Sequence, residues 1–258
     1  MLFQSSLVSF ATLTSFVTFA ASLPAVECKP PAFFLAGDST TAVQSTGGGG
    51  WGDGFLNTTL KNGATGKNFG HNGATTVSFR DGGDWANVIA AAKAASSKYS
   101  PYVTIQFGHN DQKPEKNISM ALLTANLVKF VNEVRAVKAT PILVTSLSRR
   151  RFSTSTGKIN ENLADVTAAT KAAASQSGAK IIDLNAASTA YLNAIGPDNS
   201  ATYNLAPTDF THLNAPGSRV FGTMVASLID AAVPELKKYV VPVKAIADAI
   251  KNGVYYYQ

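Results

Sequence analysis

Pro101-Tyr102-Val103-Thr104-Ile105-Gln106-Phe107 runs straight into Gly108-His109-Asn110-Asp111. The first seven residues are rich in β-branched and aromatic side chains, and a glycine stops them. That pattern predicts a strong strand ending in a polar loop. Working outward, residues 84–98 are alanine-rich and predict a helix before the strand. Residues 119–138 predict the clearest helix after it, because Leu122, Leu123, Leu127, Phe130, Val131, Val134 and Val137 recur at helical spacing. Further strands are expected at 32–36, ending at Gly37, at 67–70, at 141–146 and at 180–184. Further helices are expected at 51–56, 159–177 and 186–195. Gly178 stands where a left-handed C-cap closes the second of these. A last helix opens with Asn214 as N-cap and Pro216 in its first turn, and runs to about residue 232. Strands alternating with helices predict an α/β domain with a parallel sheet covered on both faces. Right-handed crossovers then bring all strand C-termini to one edge, where α/β proteins build their sites.

Three polar features fall where the chain leaves strands or enters a helix. Gly37-Asp38-Ser39-Thr40 follows the first strand, and a glycine turn there can hold the Ser39 hydroxyl at the sheet edge. Gly108-His109-Asn110-Asp111 follows the strong strand, and the Asn110 amide can donate into the same space. Asp209-Phe210-Thr211-His212 precedes the last helix. A carboxylate three residues ahead of an imidazole can accept its Nδ1 proton and leave Nε2 free as a base. Each feature has an ordinary reading as turn chemistry or a helix start. Their combination points to nucleophilic catalysis with Ser39, Asp209 and His212 as its catalytic residues. Since His212 accepts a proton only when neutral, activity is expected to fall in acid.

These blocks resemble those of the SGNH/GDSL hydrolases. Gly37-Asp38-Ser39 resembles the family's first block, Gly108-His109-Asn110-Asp111 its third and Asp209-Phe210-Thr211-His212 its last. Gly73 in Asn72-Gly73-Ala74-Thr75 matches the second block, with Gly70 as a competitor. The wording of residues 35–40, Trp51-Gly52 and residues 107–111 is similar to rhamnogalacturonan acetylesterases of the fungal and bacterial kind. The resemblance covers about residues 33–229. It implies a three-layer α/β/α fold of the flavodoxin-like kind, with a five-stranded parallel sheet. It also implies an oxyanion hole made by Ser39 N–H, Gly73 N–H and the Asn110 amide. The implied reaction is deacetylation of a pectic backbone without a metal or other cofactor. The alternatives are a xylan-directed or lipase-like esterase, or a silent carbohydrate-binding protein on the same fold. Asp38 is expected to hydrogen-bond within its turn, Asp111 to be structural, and His109 to support its loop or line the cleft. The chain departs from some members in having a single cysteine, Cys28, and so no intrachain disulfide. It also departs in a tail, residues 234–258, that matches no part of the family. A weak helix is expected within the tail at 245–251.

Composition agrees with a globular enzyme. The chain has 258 residues, 45% hydrophobic and 15% charged, with a formal net charge of +6. One domain of ordinary size is expected, at residues 23–233, followed by the tail as a C-terminal extension. The positive charge suits an acidic partner such as a polyuronate, or merely reflects scattered lysines. Arg149, Arg150 and Arg151 form the tight basic run, and follow a strand on the expected active-site edge. They are expected to contact substrate carboxylates. No basic stripe interleaved with aromatics suggests nucleic acid. Gly47 to Gly50 lacks the Gly-Lys-Ser/Thr ending of a phosphate loop, and Ser39 lacks a Gly-x-Ser-x-Gly elbow. His71, His109 and His212 lack metal-ligand spacing. Residues 1–22 predict a signal peptide, with Ala20-Ala21-Ser22 offering small residues before Leu23. The apolar run is too short and too broken to anchor the chain in a membrane. Asn57 and Asn117 head glycosylation sequons, in keeping with a secreted, extracellular protein. A monomer acting on an acetylated, acidic polysaccharide is the expected whole.

Overall fold

The computed structural model describes residues 1–3 and 29–258. The expected signal peptide and Cys28 lie outside the described residues. Five strands form one sheet: β1 (Pro31–Gly37), β2 (Thr65–Asn68), β3 (Ser100–Gln106), β4 (Thr140–Val144) and β5 (Lys180–Ile182). Their order is β2-β1-β3-β4-β5, and every pair is parallel. β1 runs beside β3 in register from Pro31 opposite Ser100 to Gly37 opposite Gln106. The strand order reverses at β1, the topological switch point where open α/β sheets bind ligands.

Alternation along β1 builds two cores. Phe33 and Leu35 point to one face, where they pack with α1 (Gly52–Thr59), α6 (Leu184–Ala201), α7 (Ala215–Ala232) and α8 (Lys244–Asn252). Ala32, Phe34 and Ala36 point to the other, against α2 (Thr76–Asp81), α3 (Asp84–Ala95), α4 (Met120–Ala136) and α5 (Ala164–Ser177). This is the expected three-layer sandwich. Ser119 caps α4 by accepting from Leu122 N, and Asn214 caps α7 by accepting from Gly217 N. Gly178 ends α5 with φ of 62°.

Several expectations change, the fifth strand ending at Ile182 rather than at 184 and α6 running over Leu184–Ala201 rather than 186–195. The second strand lies two residues earlier than expected, at Thr65–Asn68. Its Asn68 side chain turns back to Thr41 O and Asp53 and accepts from Gly70 N, while Phe69 N and His71 N still donate to Leu35 O and Gly37 O of β1. The fourth strand stops at Val144 rather than at 146. Helix α5 starts at Ala164 rather than 159. Ile159 instead bridges Phe152, and Asn160 N donates to Arg151 O, so residues 152–163 form a loop beside the catalytic edge. The tail is no loose appendage. Leu236, Val240 and Ile246 are buried in the same core as β1, and Val240 bridges Leu60. Helix α2 is an addition, started by a capping box in which Thr75 and Ser78 satisfy each other's backbone.

Candidate active site

The turn after β1 presents Ser39. Asp38 is fully buried, and its Oδ1 accepts from Thr40 N at 2.9 Å and Thr40 Oγ1 at 2.7 Å. Thr41 N and Ala42 N both donate to Asp38 O, which closes the turn and leaves Ser39 at its apex. Gln106, the last residue of β3, holds this turn from beneath. Its Oε1 accepts from Thr40 Oγ1, Thr41 Oγ1 and Trp51 Nε1 at 3.1, 2.7 and 2.8 Å. Its Nε2 donates to Thr145 O. Gln106 carries no motif. Its only sequence signal is a polar side chain at the end of an otherwise buried strand.

The turn before α7 presents Asp209 and His212. Asp209 Oδ1 accepts from Thr211 N and His212 N, both at 2.9 Å. Its Oδ2 lies 2.8 Å from His212 Nδ1, and His212 Nε2 lies 2.7 Å from Ser39 Oγ. A carboxylate can only accept, so Nδ1 carries the imidazole proton and Nε2 accepts from the serine hydroxyl. Partial burial raises the Asp209 carboxyl. The hydrogen bonds from His212 and Thr211 outweigh that and hold it below the usual carboxylate range. It is therefore ionised at neutral pH. Hydroxyl and imidazole, 173 residues apart in sequence, thus lie within hydrogen-bond reach.

Asn110 is buried, and its Nδ2 donates to Ala74 O at 3.0 Å. That bond ties the third block to the loop of Gly73, and the amide's second N–H has no protein partner among the described residues. The two candidate glycines differ. A Cβ at Gly70 would meet Ala42 N at 2.5 Å, whereas at Gly73, with φ of +78°, nothing lies within 4 Å. Gly70 is a packing position. Gly73 is the open one, its left-handed backbone facing free space. Asp111 Oδ1 accepts from Thr76 N and Oγ1 and anchors α2. His109 is buried and donates Nε2–H to Leu147 O. Burial, with Arg149 nearby, pushes its imidazole down to about 3, so the ring is neutral.

The three arginines part company. Arg149 donates to Asn162 Oδ1 at 3.0 Å, and Arg151 is exposed and stacks over Phe210 at 5.2 Å. Both line a groove of about 600 Å³ with Asn160, Asn162, Asp209 and His212. Arg150 is only 2% exposed and points inward, so it cannot contact substrate as expected. Asn57 and Asn117 are both exposed. Among the described residues no cluster of His, Cys, Asp or Glu could hold a metal ion. No described helix is long and apolar enough to cross a membrane.

Fold and site together define a serine ester hydrolase, with Ser39, His212 and Asp209 meeting on the carboxyl edge of a parallel sheet. The model of the GDSL-like lipase/acylhydrolase family matches residues 35–220, and the chain belongs to that family. Rhamnogalacturonan acetylesterase RhgT of Bacillus subtilis is 32% identical over 228 residues, which are 83% of this chain and 95% of that one. Among solved structures, the Bacillus subtilis protein YxiM superposes with a TM-score of 0.69 at 23% identity, over 82% of this chain and 59% of its own. A variant of Axe2, an acetyl-xylooligosaccharide esterase from Geobacillus stearothermophilus, gives 0.58 at 20%, over 78% and 94%. These two structural likenesses carry the fold.

Proposed function

We propose that the protein is a secreted acetylesterase that removes O-acetyl groups from rhamnogalacturonan, the backbone of an acidic pectic polysaccharide. Ser39 attacks the acetyl carbonyl while His212 takes its proton. The tetrahedral oxyanion is held by the N–H groups of Ser39 and Gly73 and by the Asn110 amide, each such donor being worth about 10²–10³ in rate. His212 returns the proton to the departing sugar alcohol, and water then releases acetate from the acyl-enzyme by the same steps in reverse. Asp209 orients the ring throughout.

The observation that carries the substrate is the groove beside His212. Arg149, Arg151, Asn160 and Asn162 line it. Its two cations suit sugar carboxylates, and its amides suit hydroxyls. The likeness to RhgT supports the same reading, as do the leader and sequons for secretion. The test is acetate release from acetylated rhamnogalacturonan, acetylated xylan and p-nitrophenyl esters of rising chain length. Fastest release is expected from rhamnogalacturonan, and none from any substrate with Ser39→Ala. Arg149→Ala with Arg151→Ala should raise KM for rhamnogalacturonan by about tenfold or more, as the loss of charge-assisted hydrogen bonds implies. The same pair should leave p-nitrophenyl acetate turnover unchanged. Preference for xylan or long acyl chains, or equal losses on acidic and neutral sugars, would refute the substrate assignment.

A further inference from the structure

The catalytic turn Asp209-Phe210-Thr211-His212 belongs to no helix or strand. Two of its N–H groups are held from within, since Asp209 Oδ1 accepts from Thr211 N and His212 N, and Asp209 N donates to Ala206 O. Its carbonyls are held from elsewhere, and one residue reaches all four. Arg150 Nη2 donates to His212 O at 2.5 Å and, at longer range, to Asp209 O at 3.4 Å. Arg150 Nη1 reaches Thr211 O at 3.5 Å. Arg150 backbone N donates to Phe210 O at 2.8 Å. The remaining donor, Nε, is fixed on Asn204 Oδ1 at 2.6 Å.

We propose that Arg150 is a positioning residue: it braces the Asp209–His212 turn against the segment that follows β4 and so sets the distance from His212 Nε2 to Ser39 Oγ. Two features support this over a purely structural role. No carboxylate forms an ion pair with this buried guanidinium among the described residues, so it bears a desolvation cost that an apolar residue would avoid. Its planar fork of five N–H donors fits diverging carbonyls in a way that neither a lysine nor an apolar chain can copy. Arg150 lies six residues past Val144, in a segment held beside the sheet that carries Ser39, since Thr145 N donates to Ile182 O and Ser148 N to Ser188 Oγ. The contact it controls is short, 2.7 Å between groups 173 residues apart, and an error of about 1 Å in such a geometry can cost roughly 10²-fold in rate.

The proposal rests on the acyl-transfer reading of Ser39 and His212, and its test is independent of the natural substrate. Arg150→Lys keeps the charge and loses the fork, Arg150→Met loses both, and Asn204→Ala leaves the guanidinium in place but frees one end. Each is measured on p-nitrophenyl acetate per folded molecule, with folding followed by circular dichroism. Proton NMR follows the downfield signal of His212 Nδ1–H on Asp209. Arg150→Lys and Arg150→Met should lower kcat by about 10- to 100-fold with KM within about twofold, as expected for lost alignment. Asn204→Ala should give a smaller loss in the same direction, and the NMR signal should shift or broaden in each. A variant that does not fold leaves the decision to the others, of which Asn204→Ala disturbs the interior least. Folded variants with native kcat and an unchanged signal overturn the proposal. Ser39→Ala is run beside them. If it stays active, the acyl-transfer reading itself fails; if it is dead while the Arg150 variants are native, only the positioning role fails.

Discussion

At the scale of single residues, the pairing of Asp209 with His212 could be read because its chemistry is local. Asp209 and His212 are three apart, and that spacing alone lets the carboxylate meet both the ring and the backbone of the same turn. The run of arginines could not be read in the same way. Consecutive residues in a loop diverge by dihedral angles that composition does not encode. Here Arg149 and Arg151 line the groove while Arg150 turns inward. Asp38 shows another effect hidden from sequence, its burial. Burial raises its carboxyl, the Thr40 hydrogen bonds oppose this, and nearby Asp111 adds to the rise, so it titrates at about 6 instead of 3.8. Between those values the folded state holds a proton that the unfolded state has lost. Stability from this group is therefore full below pH 3.8 and is lost as pH rises through about 6. Asp38→Asn keeps an oxygen for Thr40 and removes the titration. From pH 4 to pH 8 the variant should gain about 3 kcal/mol relative to the native chain, at 1.36 kcal/mol per pKa unit. Urea unfolding at the two pH values measures it, and stability differences that do not change with pH would show that the carboxyl titrates normally.

At the scale of elements, helices that bury one clear stripe were predicted within a few residues, as α4 and α7 show. Elements set by tertiary contacts were not. The edge strand β2 is short and mostly exposed, so it carries no apolar pattern that would mark its limits. Helix α2 is six residues long and rests on its cap and on Asp111 rather than on periodicity. The joint between α1 and α7 is likewise invisible in either helix alone. A Cβ on Gly54 would lie 1.9 Å from Ser218 O, and one on Gly222 would lie 2.3 Å from Phe55 N. Each obstacle is backbone, which cannot rotate away as a side chain can. Gly54 N also donates to Ser218 Oγ at 3.0 Å, so the helices touch through main chain and a short hydroxyl. Gly222→Ala should therefore push the pair apart and cost about 2–3 kcal/mol, in the range of overpacked cores, despite alanine's better helix propensity. Denaturant midpoints would measure that cost. A variant as stable as the native chain, or more so, would mean the helices separate freely and the close crossing is not required.

At the scale of the whole molecule, the order of strands and helices carried most of the fold, because alternating elements joined by right-handed crossovers leave few arrangements. In the last 25 residues pattern gave the helix at 245–251, which is α8, but not where the tail packs. The polar face of α8 and the isolated tyrosines gave no sign of a partner, since the partner surface is assembled from α1, α6 and α7. In the structure Leu236, Val240 and Ile246 are buried, Val241 N donates to Thr59 O, and Lys61 N donates to Tyr239 O. Farther along, Tyr203 Oη donates to Tyr256 O, and Tyr191 Oη donates to Val254 O at 3.2 Å. Tyr255 and Tyr257 lie against the Tyr203 ring at 6.0 and 6.2 Å. Tyr203 is the neighbour of Asn204, which holds Arg150, so the chain end packs two residues from the support of the catalytic turn. Ending the chain after Val233 would expose the apolar surface that these three side chains cover. At about 1.5–3 kcal/mol for each buried side chain, the loss is several kcal/mol. A domain's whole stability is about 5–15 kcal/mol. The shortened chain should be mostly unfolded or aggregated at 37 °C. Ending it after Gly253 should leave a folded enzyme with a lower melting temperature, because only the tyrosine contacts are lost. Calorimetry on the two truncations decides the matter: a chain ending at Val233 that melts with the native midpoint would make residues 234–258 a separable appendage after all.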